Sequence, residues 1–326
     1  MNIVLTGSVA FDYLMSFPGC FREHIIPEHL ETISLSFLVD SMVRLRGGVA
    51  PNIAYTLALL GKHPLLWAAV GEDFEEYRDW LNNVGVDTSG ACVIPGVYTA
   101  SFFANTDRDN NQIASFYPGA MAYAAQLSLH DIQKKPDIVV ISPNDPNAMI
   151  RYVDECQELN FRYIYDPSQQ LVRLNSDQLV KGINGAFALF VNDYEAALIE
   201  KMTGLNPENI TRRQQAPKNG FVVVTRGSQG ADIYTSENTW HIPVVPPSQI
   251  ADPTGVGDAF RGGFLTGYSH ELDLVTCGRM GVLAATYCLE QRGPQGFRYT
   301  IKEYIDRYKQ IFVDDHQIDV ITRKDE

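Results

Sequence analysis

The sequence predicts an α/β protein whose mostly parallel central sheet is flanked by helices on both faces, and three observations carry that expectation. Short apolar runs alternate with helical patterns along most of the chain, which is how strands buried on both faces and their crossover helices read. Each run closes on a polar residue, as strands do when their carboxyl ends line a crevice. The chain has 326 residues and 45% hydrophobic content, enough to bury one large core. A single domain over 1–326 is therefore expected.

Taken in order, Ile3-Val4-Leu5 reads as the first strand and leads to Asp12. Residues 13–45 break the rhythm. A helix then begins behind Gly47-Gly48: Pro51 suits its first turn, Ile53, Leu57 and Leu60 recur at i, i+4 and i+7, and Gly61 ends it. Residues 92–121 break the pattern again and read as a hairpin of 99–105 and 112–117, turned by the polar run 107–111. Buried strands are predicted at 137–141, 163–166, 187–192 and 221–225, and helices at 146–159, 194–203, 258–270 and 273–290. Position alone makes Asp166, Asn192 and Thr225, at strand ends, candidates for a site. The polar tail after Phe312 is expected to fray. No internal repeat or low-complexity linker divides the chain.

The net charge of −13 comes without a Lys/Arg block, so neither nucleic acid nor an anionic membrane is expected as a partner. No apolar run approaches the roughly 18 to 20 residues of a membrane span. The five cysteines form no C-x-x-C pair, and together with the absence of a secretory pattern this points to reduced thiols and a cytoplasmic location.

The most informative segment is Asp252-Pro253-Thr254-Gly255-Val256-Gly257-Asp258-Ala259-Phe260-Arg261-Gly262-Gly263-Phe264. Glycines 255 and 257 allow successive N–H groups to converge in front of a helix, where the dipole also favours an anion. Asp258 at the same helix end is either an ionised base beside an anion cradle or simply a cap for the first turn. A base beside a cradle suits transfer of a phosphoryl group to a hydroxyl.

This segment resembles the second signature of the ribokinase-like (PfkB) family of sugar and nucleoside kinases, usually D-T/P-T-G-A-G-D, with Val256 in place of Ala. The stretch from Arg46 to Gly61 is similar to the family's other signature, G-G-x-x-x-N-x-A-x-x-L-x-x-L-G. The resemblance implies a three-layer ribokinase-like fold in which 13–45 and 92–121 form a small β-sheet lid over the acceptor site. It implies Asp258 as catalytic base, with Gly255, Val256 and Gly257 as the cradle. Asp12, Gly47, Gly48 and Asn52 would hold the acceptor, although Asn52 has the alternative of capping its helix. ATP would be the donor, bound along Asn192, Thr225, Arg226, Gly227 and Gly230, with Mg²⁺ held mainly through water by Asn192 and Glu195 of N-x-x-E. Arg226 is equally readable as a solvated loop charge.

The lid residues 109–113 and 116–121 look most like the bacterial adenosine or nucleoside kinase branch, which implies transfer to a 5′-hydroxyl. Phe102, Phe103, Phe116 and Tyr117 offer π-faces for a base, with Gln112 as a polar contact, or they pack the hairpin on itself. A ribose, fructose or sugar-phosphate kinase, and a non-catalytic nucleoside-binding protein, remain the alternatives. A homodimer through the lid is a further expectation. No G-x-x-x-x-G-K-[ST] occurs, which argues against a P-loop enzyme.

Overall fold

The computed structural model describes residues 1–25, 31, 34–213 and 217–322. With elements numbered along the chain, a nine-stranded sheet takes β1 (Ile3–Thr6), β4 (Leu65–Val70), β5 (Ala91–Val93), β8 (Ile138–Ile141), β9 (Tyr163–Tyr165), β10 (Ala188–Asn192), β11 (Phe221–Thr225), β12 (Ala231–Tyr234) and β13 (Thr239–Ile242). A four-stranded sheet takes β2 (Ala10–Ser16), β3 (Ser41–Gly47), β6 (Ala100–Thr106) and β7 (Gln112–Tyr117). The predicted strands at 137–141, 163–166, 187–192 and 221–225 all appear within a residue of their expected ends.

The large sheet is ordered β13-β12-β11-β10-β9-β8-β1-β4-β5, parallel from β11 to β5, with β12 and β13 added as an antiparallel edge. Successive residues of its central strands feed different cores: Ile3, Leu5, Ile138 and Val140 on one face, Val4, Val139 and Ile141 on the other. That is why these strands are apolar without alternation. The first face is covered by α1 (Val49–Leu59), α2 (Glu75–Val84), α7 (Val256–Ser269), α8 (Leu274–Leu289) and α9 (Ile301–Ile311). The second is covered by α3 (Pro146–Glu158), α4 (Ser176–Gly185), α5 (Asp193–Thr203) and α6 (Pro207–Arg212). The result is a three-layer ribokinase-like fold with a small separate sheet.

The chain leaves β1 toward β4 and β5, then returns to β8 on the opposite side and continues outward to β11. Strand order therefore reverses between β1 and β8, where a crevice opens at the carboxyl ends of the strands. The small sheet stands over that crevice. Its strands begin at Ala10, earlier than expected, and β3 extends to Gly47, while residues 91–93 belong to the large sheet. Part of the expected lid, residues 26–30 and 32–33, lies outside the described residues.

The tail does not fray after Phe312. Asp315 accepts hydrogen bonds from Thr276 Oγ1 at 2.7 Å and the Tyr308 hydroxyl at 2.6 Å, and Ile318 and Ile321 are buried. Two apolar residues at helical spacing inside a charged stretch were the signal, and burying them outweighs the entropy of a loose end. Residues 323–326 lie outside the described residues.

Candidate active site

The crevice between the two sheets is a cavity of about 590 Å³. Ala10, Asp12, Leu14, Leu45, Phe102 and Phe116 line it from the small sheet; Ser8, Gly48, Asn52, Thr254, Gly255 and Asp258 line it from the large one.

On the small sheet, side chains alternate between faces, and the register sets one row across all four strands. Leu45 pairs with Asp12, Asp12 with Phe102, and Phe102 with Phe116. A carboxylate is thus set among three apolar side chains, all facing the cavity. No hydrogen bond or ion pair from another described residue reaches Asp12. Burial, and then the charge of Asp252, push its pKa up to about 6. Gly47 lies directly behind it, since a Cβ there would stand 2.8 Å from Asp12 Oδ2.

Two expected contacts are absent from the cavity lining, Phe103 by this alternation and Gln112 by its distance along the hairpin. Phe103 follows Phe102 and so points away from the cavity, stacking on Tyr13 with ring centroids 4.8 Å apart. Gln112 sits at the far end of the hairpin, where its amide donates to Thr106 Oγ1 at 3.1 Å. Neither lines the cavity.

Facing the lid, α7 begins immediately after Gly255, whose φ of +78° places the N-cap in the left-handed region that glycine favours. The first turn, Val256, Gly257 and Asp258, presents helix amides without intrahelical partners. Gly48 plays the matching part before α1: its φ is +94°, and a Cβ would stand 2.5 Å from the Ser8 carbonyl oxygen. Asp252 closes the approach to α7 by accepting from Thr254 N at 2.9 Å and Gly293 N at 3.0 Å.

Asp258 is half-buried at the cavity wall. Burial pushes its carboxyl up to about 7, against the pull of Arg261 and a hydrogen bond from Asn52. A carboxylate poised there exchanges a proton readily near neutral pH. Asn52 does not cap α1, because that helix starts at Val49. Its Nδ2 donates to Asp258 Oδ2 at 2.9 Å and its Oδ1 accepts from Gln295 Nε2 at 3.0 Å. Gln295 in turn donates to the Tyr77 hydroxyl and accepts from Trp80 Nε1 at 3.0 Å.

Beneath this, Arg261 makes a buried two-pronged ion pair with Asp166, its Nη2 donating to Oδ1 at 2.7 Å. Its Nη1 donates to the Gly257 carbonyl at 2.9 Å. Burial works against the Arg261 charge, but Asp166 and the neighbouring carboxylates more than offset it and raise its pKa. Arg261 is therefore a brace inside the first turn of α7, tying it to the end of β9.

On the far side, Asn192 and Thr225 are register partners at the ends of β10 and β11. Asn192 and Glu195 form a capping box at α5: Glu195 N donates to Asn192 Oδ1 at 2.7 Å, and Asn192 N to Glu195 Oε2 at 2.8 Å. Ser168 Oγ donates to Glu195 Oε1 at 3.0 Å. Each carboxylate oxygen keeps a lone pair beyond these bonds. With Asp166 and Asp258, Glu195 makes three carboxylates whose charges act around the single Arg261 guanidinium. Among the described residues no group of three or more His, Cys, Asp or Glu side chains is placed to hold a metal ion directly, so a cation beside Asn192 and Glu195 would be held through water.

Gly227 and Gly230 flank the turn after β11. Arg226, at the start of this turn, is directed to the neighbouring strand. Its guanidinium pairs with Asp232 at 2.5 Å and Tyr234 at 3.2 Å on β12.

Several lining or supporting residues escaped the sequence reading: Gln295, Tyr77 and Trp80 behind Asn52, and Gln169, Gln170 and Arg173 after β9 at the cavity edge. The bulky residues Gln295, Tyr77 and Trp80 carry no motif, and only the fold brings them together. Among the described residues no helix is long and apolar enough to cross a membrane, and the five cysteines are unpaired thiols.

Comparison with known proteins agrees with this geometry. Residues 14–300 match the pfkB family carbohydrate kinase model. The chain is 31% identical over 300 residues to a nucleoside kinase of Methanothermobacter thermautotrophicus, covering 90% of this chain and 91% of that protein. It is 27% identical over 275 residues to a cytidine kinase of Thermococcus kodakarensis, covering 82% of this chain and 96% of that one. The structure of Burkholderia thailandensis nucleoside kinase in complex with ADP-inosine superposes with a TM-score of 0.81 at 35% identity, covering 96% of each chain. With two signatures in place, the three-layer fold and a carboxylate-bearing helix end at its switch point, the chain belongs to the pfkB family of carbohydrate kinases, phosphotransferases that act on a hydroxyl group.

Proposed function

We propose that the chain transfers the γ-phosphoryl group of ATP to the 5′-hydroxyl of a ribonucleoside, adenosine being the first candidate. The observation that carries this reading is the row Leu45, Asp12, Phe102, Phe116. An unpartnered carboxylate suits vicinal ribose hydroxyls, and two rings beside it suit the face of a base. The relatives named for nucleosides support the same class. Gln169, Gln170 and Arg173 at the cavity edge supply donors and acceptors for the base edge.

In this reading Asp258 accepts the hydroxyl proton as the oxygen attacks the γ-phosphorus, and ADP leaves. The amides of residues 255–258 stabilise charge on the transferring group, where most of the catalysis in phosphoryl transfer resides. Asn52 orients the base, and Asp166 with Arg261 keeps the helix end rigid. Thr225, Gly227 and Gly230 bound the nucleotide side. Glu195 and Asn192 would hold Mg²⁺ through water, and the ion would neutralise phosphate charge there. The small sheet, closing as a lid of the one kinase domain, excludes water as a competing acceptor. Its outer face exposes Met42, Phe103, Ile113 and Tyr117, which suits contact with a second copy. A cytoplasmic location fits the free thiols.

The test is turnover of a panel of ribonucleosides against ribose, fructose and sugar phosphates with Mg-ATP. Nucleosides should be strongly preferred. Preference for a free sugar would give the sugar-kinase reading, and acceptor-independent silence would give a binding protein.

A further inference from the structure

We infer that Trp80 and Gln295 form a hydrogen-bond relay that fixes which way the Asn52 amide faces, and so keeps Asn52 donating to the catalytic base. The inference rests on the assignment of Asp258 as that base.

The argument is one of donors and acceptors. An indole N–H can only donate, and a backbone carbonyl can only accept. Trp80 Nε1 donates to Gln295 Oε1 at 3.0 Å, which forces the Gln295 NH₂ toward Asn52 and Tyr77. The Tyr77 hydroxyl receives that NH₂ because its own proton is committed to the Gly47 carbonyl at 3.0 Å. Asn52 Oδ1 must then face Gln295, so its NH₂ faces Asp258 Oδ2 at 2.9 Å. A flipped Asn52 would set a carbonyl oxygen against the carboxylate, an arrangement tolerable only with Asp258 protonated.

Gln295, Asn52 and Tyr77 are 7%, 5% and 0% exposed, so water offers little relief for a misdirected amide. Trp80 is held in place by stacking on Tyr55 at 6.2 Å and by the Arg46 and Arg298 guanidinium groups over its ring. The relay therefore runs from α2, through the loop after α8, to α1 and α7.

Other charges also act on Asp258: Arg261 on its own helix, Asp166 after β9, Tyr77 on α2 and Cys288 on α8. Arg261, Asp166 and Cys288 have no hydrogen bond to Trp80 or Gln295, whereas Tyr77 belongs to the relay through Gln295. Trp80 and Gln295 are positioning residues, separated from the reacting atoms by at least one side chain.

The experiment measures kcat/KM for the nucleoside against pH, with thermal midpoints, for wild type, Trp80→Phe, Gln295→Glu and Asp258→Asn. Losing one charge-assisted hydrogen bond should raise the acid limb by about one pH unit in Gln295→Glu. Trp80→Phe should move it in the same direction by less. A lowered midpoint with the limb unmoved in both variants overturns the relay. Movement in Gln295→Glu alone is charge repulsion and overturns it equally. Should Trp80→Phe not fold, Gln295→Met, neutral and similar in volume, is judged by the same limb. Asp258→Asn separates the two ideas: retained turnover there sinks the base assignment itself, whereas loss of turnover with an immobile limb in the others sinks only the relay.

Discussion

The two walls of the cavity are built on opposite terms. On the large-sheet wall nearly every polar group is committed to another: Asp258 to Asn52, Asn52 to Gln295, Arg261 to Asp166 and to the carbonyl of Gly257. On the lid wall Asp12 has no partner and Phe116 is 51% exposed. The first wall is preorganised, so its donors need no rearrangement when charge develops. The second is complete only with something in the cavity. The proposed function assigns chemistry to the committed wall and recognition to the uncommitted one, and each substitution below asks whether that division holds.

The largest effect belongs to the committed wall. Asp258→Asn keeps shape and helix cap but removes the proton acceptor, so kcat should fall by roughly 10²-fold or more. Asp258 also costs stability when ionised. Its folded pKa of about 7 lies above the ordinary 3.8 of an aspartate, so the penalty is absent below the unfolded pKa, grows as pH rises between the two values and is full above about 7. The thermal midpoint of Asp258→Asn should therefore exceed wild type at pH 8 and converge on it in acid. A variant that turns over like wild type, or that melts earlier at pH 8, breaks the claim that this carboxylate is held there for chemistry.

Recognition should fail differently. Asp12→Ala leaves a bound ribose hydroxyl without its acceptor, a loss of about 1 to 3 kcal/mol, which should appear in the nucleoside KM and leave the ATP KM alone. The carboxylate form does the accepting, and the pKa is about 6. Nucleoside affinity should therefore weaken as pH falls through 6 in wild type, and this limb should vanish in Asp12→Asn. An equal rise in both KM values would mean that Asp12 supports the fold and not the acceptor.

How much of this division the sequence disclosed depends on distance along the chain. Asp258 with its glycines was legible because a helix start, a cradle and a base fall within four residues. The central strands were legible as apolar runs, and α8 as a periodic helix, which the structure caps with the Asp273 carboxylate accepting from Thr276 N. The relay behind Asn52 was not, since positions 52, 77, 80, 258 and 295 meet only after α1, α2, α7 and the loop after α8 have packed. The pairing of Arg226 was not legible, because a charge beside a turn says nothing about a partner six residues on, across a hairpin. The N-x-x-E motif serves as a capping box in the structure, and its further role toward a metal is a matter for experiment.

A smaller effect tests the apolar part of the lid wall. Phe102→Ala and Phe116→Ala should each raise the nucleoside KM by the roughly 1 to 3 kcal/mol that a ring stacked on a base contributes. Phosphorylation of free ribose, if measurable, should be unchanged by either. An equal loss with both acceptors would show that the rings hold the hairpin together.

The smallest catalytic effect is expected one residue along. Two adjacent phenylalanines look alike in sequence, and the strand period of two sends them to opposite sides. Phe102 lines the cavity, while Phe103 is 38% exposed on the outer face against Tyr13. Phe103→Ser should thus leave kcat and both KM values within about two-fold, the scale of surface changes remote from a site. The same substitution places a hydroxyl in the apolar outer face formed with Met42, Ile113 and Tyr117, so it should weaken any self-association through that face. Steady-state kinetics and sedimentation on wild type, Phe102→Ala and Phe103→Ser separate the faces. A nucleoside KM that rises as much in Phe103→Ser as in Phe102→Ala would mean that the lid refolds around its ligand, and the inner and outer faces would no longer be distinct.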